Sequence, residues 1–173
     1  LFLDIPGTVD RLLMLFPDAD ADAVLADRQR AEEQMFYSCD KYLRKYTPPV
    51  VAVAAQESYA VFAKAMMERY FGSDVSVVFA RDRAAEGVPY SVNSAEINAA
   101  VAAAEPDLIL GSTFEAAGCR SAAFFGITPP DRSRVSVAAR PLAGVEGGLV
   151  LIEGALNALM NRHAAEGKKR CFP

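Results

Sequence analysis

Few residues in this sequence are able to do chemistry, and their spacing excludes more sites than it suggests. Its soft metal ligands are three cysteines, Cys39, Cys119 and Cys171, and one histidine, His163. No two stand at the short spacing that zinc sites and redox dithiols use, so no metal site is expected from them alone. An odd count with wide gaps also argues against a disulfide framework. Each cysteine reads as a small buried hydrophobe, and Cys39 lies on the apolar stripe of a predicted helix, where burial is favoured over ligation. A lone His with no GxSxG turn leaves a nucleophilic triad unsupported. No GxGxxG follows a strand and no GxxxxGK(S/T) occurs, which excludes a self-contained dinucleotide or P-loop site. Asp18, Asp20 and Asp22 alternate without the DxDxDG pattern and closing Glu of a calcium loop, so they read as caps and dipole partners of a helix start.

Two segments remain as candidate sites. Gly111-Ser112-Thr113 follows the apolar Leu108-Ile109-Leu110. Glycine allows a close backbone approach there, and Ser112 or Thr113 can cap a following helix whose N–H groups would accept an anion or cluster edge. The same residues also describe a plain strand-to-helix turn. The second segment runs from Ala139 to Gly148. Arg140 precedes Pro141 and is held extended. Gly144, Gly147 and Gly148 open a helix without side-chain bulk, which suits close packing on another backbone or on a flat ligand. Gly147 and Gly148 each cost about 1 kcal/mol of helix propensity, so something should compensate.

The elements that position these segments follow from periodicity and breakers. Residues 1–5 read as a short strand stopped by Pro6-Gly7. Thr8 is expected to cap a short helix with Val9, Leu12, Leu13 and Phe16 on one face. A long helix over 21–46, capped by Asp18 or Asp20, carries the stripe Val24, Leu25, Met35, Phe36, Cys39, Tyr42 and Leu43. From residue 50 onward, apolar runs alternate with helical patterns. Strands are expected over 50–54, 75–80, 108–110, 122–125 and 135–138, the first two buried on both faces. Helices are expected over 57–71, ending at Gly72, from a Ser94 cap to 104, over 114–119, and over 145–163. Such alternation implies βαβ crossovers. The predicted fold is α/β: a Rossmann-like, three-layer parallel sheet flanked by helices, with an N-terminal helical segment. A single domain is expected over 1–173, divided into a lead-in strand and helices (1–48), the Rossmann-like unit (49–163) and a tail (164–173).

Composition narrows the class. Of the 173 residues, 52% are hydrophobic and 23% charged, enough for a real core and too apolar for a disordered chain. The formal net charge is −4, whereas a generic nucleic-acid binder carries a basic excess, so no nucleic-acid partner is expected. The basic run Lys168-Lys169-Arg170 reads as a solvated, fraying end. No apolar run reaches the ~18 residues of a membrane span, and the start has no basic leader region, so a cytoplasmic protein is expected. Because the sequence opens as if inside a strand, it is expected to be a segment of a longer subunit.

"PDLILGSTFEAAG" followed by "RPLAGVEGGLVLIEGALNALMNR" resembles the last domain of the nitrogenase component 1 superfamily. That superfamily includes nitrogenase subunits, their cofactor scaffolds, and the dark-operative protochlorophyllide and chlorophyllide reductases. Pro106-Asp107-Leu108, Gly111, Pro141, Gly144 and Gly147 match its pattern, and the upstream "DIPGTVDRLL" and "PPVVAVAAQESYAVFAKAMMERYFG" are similar to its lead-in. The resemblance covers nearly the whole chain. It implies an oxidoreductase subunit that lends pocket walls and a subunit interface to an iron–sulfur-dependent reductase. The implied partners are a homologous subunit, in an oligomer, and an ATP-dependent iron–sulfur reductase. The implied substrate is a tetrapyrrole, dinitrogen or another small molecule. An iron–sulfur or metal cluster is implied for the full-length complex, with none held by this segment. In the family's α subunit a His precedes the P-x-x-G-x-x-G segment. The matching position here is about Arg134, a departure that points toward β-like, scaffold-like or tetrapyrrole-reductase-like subunits. The pocket-facing candidates are Gly111, Ser112, Thr113, Arg134, Arg140, Gly144 and Gly147. Two other readings stand beside this one: an α/β binding lobe resembling metal-chelate and vitamin B12 receptors, which share the PDLI-type strand, and a structural subunit that has lost its cofactor.

Overall fold

The computed structural model describes residues 2–133, 135 and 140–171, the side chains of 168–171 excepted. Four parallel strands form its sheet: β1 (Val50–Ala55), β2 (Asp74–Ala80), β3 (Leu108–Gly111) and β4 (Ala123–Gly126), in the order β2-β1-β3-β4. Val53 of β1 lies opposite Val78 of β2 on one side and Leu110 of β3 on the other. The helices are α1 (Ile5–Leu15), α2 (Asp22–Leu43), α3 (Glu57–Phe71), α4 (Ser94–Ala104), α5 (Thr113–Ala116) and α6 (Gly144–Cys171).

Side-chain alternation along the strands sorts the helices onto two faces. Val51, Val53, Leu108, Leu110 and Phe125 point into one core with residues of α2, α3 and α6. Ala52, Ala54, Val77 and Ile109 point into a second core under Ile97 and Val101 of α4. The sheet is therefore covered on both sides, as a parallel sheet requires. The Rossmann-like α/β arrangement predicted from the sequence is the arrangement observed.

Local signals explain the best-matched boundaries. Helix α3 spans the predicted residues and ends at Gly72 in the left-handed region, φ 61°. Elsewhere the structure corrects the reading. Residues 2–5 of the expected 1–5 strand form none, Leu1 lying outside the described residues: Phe2–Asp4 make a single tight helical turn that leads straight into α1. Pro6 sits in the first turn of α1, where its missing N–H costs nothing, so the Pro-Gly pair begins a helix instead of stopping a strand. Thr8 is consequently inside α1, its hydroxyl donating to Asp4 Oδ2 at 3.2 Å. Of the α1 face, only Val9 is buried, and Leu12 is half exposed. The α2 stripe is buried at Met35, Cys39 and Tyr42, joined by Ala31, whereas Val24, Leu25 and Phe36 are exposed. Strand β2 is not buried on both faces, because it lies at the edge of the sheet. Asn93, not Ser94, caps α4: its Oδ1 accepts from Ala95 N at 3.0 Å and Glu96 N at 3.4 Å. Helix α5 is shorter than expected. Of the expected fifth strand, 136–138 lie outside the described residues, and Val135 is 93% exposed and outside any strand.

The expected tail is helix as far as Cys171. Ala164 and Ala165 are strong helix formers, and Arg162 reaches Glu166 one turn on at 3.1 Å. No helix among the described residues is long and apolar enough to cross a membrane.

Helix α6 lies on the sheet because glycine lets it. A Cβ on Gly154 would run into the ring of Phe125, which is itself buried. Gly167, further along the same helix, has nothing within 4 Å of that position. Propensity alone predicts that Gly→Ala stabilises a helix interior by about 1 kcal/mol, while overpacking a core costs about 1–3 kcal/mol. In urea unfolding, Gly154→Ala is expected to destabilise the protein by about 1 kcal/mol, and Gly167→Ala to stabilise it by up to ~1 kcal/mol.

Burial also sets an alkaline limit. It pushes the Cys39 thiol up to about 12 from an ordinary value near 9.0. Tyr42 and Tyr70 likewise rise from near 10.0 to about 12, chiefly by burial, with the Asp107 charge second at Tyr42 and the Glu32 charge second at Tyr70. All three groups lose their protons more readily when the chain unfolds. Stability is therefore whole below about pH 9 and is lost as pH rises toward 12. Urea midpoints measured across that window should fall steeply, and less steeply in Tyr42→Phe.

Candidate functional site

The strand order places a switch point between β1 and β3, because the chain leaves β1 for β2 on one side and returns to β3 on the other. Open α/β sheets bind ligands outside the carboxyl ends of the strands at such a point. The residues gathered there are Gln56 after β1, Arg81 after β2, Ser112 after β3 and Thr128 beyond β4.

One carboxylate organises this rim. Glu115 is fully buried. Its Oε2 accepts from the Ser112 amide at 2.7 Å and the Ser112 hydroxyl at 2.6 Å, and its Oε1 is paired with the Arg81 guanidinium. Ser112 Oγ in turn accepts from Phe114 N at 3.2 Å, which completes a capping box on α5. Gly111 makes room for this fold-back, since a Cβ there would lie 3.0 Å from Glu115 Oε2 and 3.1 Å from the Ala54 carbonyl oxygen. Thr113 donates its amide (2.9 Å) and its hydroxyl (2.5 Å) to the Pro130 carbonyl. Across the switch point, the Thr128 hydroxyl donates to Gln56 Oε1 at 2.8 Å. The donors that an external anion would seek, the Ser112 amide and hydroxyl and the Arg81 guanidinium, thus converge on the protein's own carboxylate. Desolvation also lowers the Arg81 pKa. The edge of α3 is held in a similar way, by Asp82 Oδ1 accepting from Glu57 N at 2.6 Å; that bond holds the Asp82 carboxyl below its ordinary range.

The glycine-rich segment lies on the same edge of the sheet. Helix α6 runs antiparallel to the strands: Gly154 meets Phe125 near the middle, and Arg162 reaches Asp107, just before β3, at 2.7 Å. Its start, Gly144 to Gly148, is therefore on the carboxyl side. Gly144 has φ +68°, a Cβ on Gly147 would run into the Leu142 backbone, and one on Gly148 would lie 2.8 Å from the Phe2 ring. Arg140 is exposed, and Arg134 lies outside the described residues. The structure thus brings Gly111, Ser112 and Thr113 together in one turn and sets Gly144 and Gly147 along the same edge.

Among the described residues no three His, Cys, Asp or Glu side chains gather as metal ligands would. Cys39 is buried between helices, Cys119 Sγ contacts Ser121 Oγ at 3.2 Å, and His163 Nε2 is bonded to the Tyr42 hydroxyl at 3.1 Å. These residues do not fit the ligand set of a cluster. Glu115 and Thr128 were not singled out from the sequence. The Ser112-x-x-Glu115 spacing is a capping-box signature able to find the first. Nothing local announces its ion pair with Arg81, 34 residues away.

Among solved structures, nitrogenase Cp1 at pH 6.5 matches 91% of this chain with a TM-score of 0.64 at 16% identity. The fold is nitrogenase component 1-like. This chain spans 37% of the length of the chain it matches. No protein-family model matches it, and no curated protein matches it in sequence. In this fold the Asp of the Pro106-Asp107-Leu108 motif serves a structural role. Asp107 Oδ2 accepts from Val50 N at 3.0 Å while Oδ1 holds Arg162. One carboxylate therefore ties the starts of β1 and β3 to α6.

The buried pair yields a graded expectation. Glu115→Ala leaves Arg81 and the Ser112 amide without their partner and should cost about 3–5 kcal/mol in urea unfolding. Glu115→Gln keeps an acceptor of the same shape and should cost about 1–3 kcal/mol. In a double-mutant cycle, Arg81→Met with Glu115→Leu should cost less than the sum of the two single changes.

Proposed function

We propose that this chain is one domain, spanning 1–173, of a longer nitrogenase component 1-like oxidoreductase subunit. In this reading it lends pocket walls and a subunit interface to an iron–sulfur-dependent reductase. One observation carries the reading: a fold match over 91% of this chain that occupies 37% of the nitrogenase chain. Gly111, Ser112, Thr113, Arg134, Arg140, Gly144 and Gly147 are the residues proposed to border the pocket.

The chemistry of the rim supports a wall rather than a reaction centre. Its strongest donors, the Ser112 amide and hydroxyl and the Arg81 guanidinium, serve the buried Glu115. An iron–sulfur or other metal cluster of the full-length complex would take its ligands from residues outside the described ones. The partners in this proposal are a homologous subunit and an ATP-dependent iron–sulfur reductase, in a cytoplasmic oligomer.

The test is anaerobic purification of the full-length protein, with iron analysis and identification of co-eluting chains. Bound iron and a homologous subunit in the same complex are expected, and the isolated 173-residue chain should show no reductase turnover. An iron-free protein that elutes alone under strictly anaerobic conditions would contradict the proposal.

A further inference from the structure

Helices α2 and α6 meet along a seam, and a groove of about 430 Å³ opens at its end nearer the amino ends of the strands. Its volume falls within the range of small-molecule sites, roughly 300–1,000 Å³. Tyr37, Tyr42 and Tyr46 line it from the α2 side, and Leu156 and Met160 from α6. The rings are organised. Tyr46 stacks on His163 with centroids 3.9 Å apart and planes 1° from parallel, and the Tyr42 hydroxyl is bonded to His163 Nε2. Met160 is 43% exposed, so apolar surface remains open to solvent in the groove.

Charge gives the groove a sign. Lys41 and Lys45, one turn apart, are exposed, and both line it, whereas none of its lining residues is acidic. Neither lysine forms an ion pair among the described residues, whereas the arginines of α2 and the one just beyond its end do: Arg28 with Glu32, Arg30 with Asp27, and Arg44 with Asp40. Asp40, the acid adjacent to Lys41 in sequence, is thus already engaged by Arg44. The helix dipole favours cations at the end of α2, but it does not require them to face an aromatic groove.

We propose that this groove binds a small, flat aromatic carboxylate, its ring against Tyr37, Leu156 and Met160 and its carboxylate between the Lys41 and Lys45 ammonium groups. Ring stacking and cation–carboxylate contact are the two interactions the lining supplies. The groove lies at the opposite end of the strands from the rim, so this proposal stands or falls separately from the oxidoreductase reading.

The test is calorimetric titration of the full-length protein with naphthalene carboxylate, and with naphthylmethylammonium as the ring of opposite charge. Saturable binding of the carboxylate and none of the ammonium is expected. Lys41→Glu with Lys45→Glu should weaken carboxylate binding by about tenfold, a change of the size two surface charges make. Lys41→Met with Lys45→Met should weaken it less. Both pairs alter exposed positions, and unchanged thermal unfolding confirms that the fold is intact. No saturable binding, equal binding of the ammonium, or unchanged affinity in the Glu pair would overturn the proposal.

Discussion

A buried negative charge must be answered within the fold, and Glu115 is that charge here. Removing a carboxylate from water costs several kcal/mol unless a counter-charge and hydrogen-bond donors meet it. Arg81 brings the counter-charge from the end of β2, and Ser112 brings an amide and a hydroxyl from the end of β3. The carboxylate itself comes from α5, so three elements at the switch point are fixed relative to one another by a single group. The closure has a functional side. A rim whose Ser112 donors and Arg81 charge are answered by Glu115 presents chiefly shape and backbone to whatever lies beyond it.

At the opposite end of the strands, Asp107 does the comparable work by joining the starts of β1 and β3 to Arg162 of α6. Between the two carboxylates, α6 lies flat on the sheet through Gly154 and starts against Phe2 through Gly148. These glycines explain a sequence cost that has no local justification. The helix gives up propensity at several positions and regains stability through backbone-close packing on rings and strands. The same glycines form part of the segment that resembles nitrogenase component 1, so the resemblance rests largely on residues that shape the fold.

What was legible in the sequence were features signalled within a few residues. The strands Val50–Ala55 and Leu108–Gly111 are apolar runs bounded by breakers, and Glu57–Phe71 ends at a glycine that adopts the left-handed conformation. Features that depend on neighbours distant in sequence were not legible. Val75 to Ala80 looks like a buried strand, and only the strand order, fixed by crossovers, makes it an edge. Pro6-Gly7 reads as a stop until Phe2 is seen packing against the start of α6, which favours a helical entry. The candidate turn at Gly111-Ser112-Thr113 stood out by its glycine and its caps. The group that occupies its donors did not, because its partner Arg81 lies on another strand end.

In the proposed reading this rim forms one wall of a site completed by the rest of a longer subunit. A cryo-electron microscopy structure of the full-length protein, prepared anaerobically, tests it directly. A further α/β domain or a homologous subunit is expected to face the carboxyl edge near Ser112 and Gly144, with the Glu115–Arg81 pair intact beneath it and any cluster held by residues of that other part. A carboxyl edge open to solvent in the full assembly, or a metal cluster ligated by this chain's own Cys39 or His163, would contradict it.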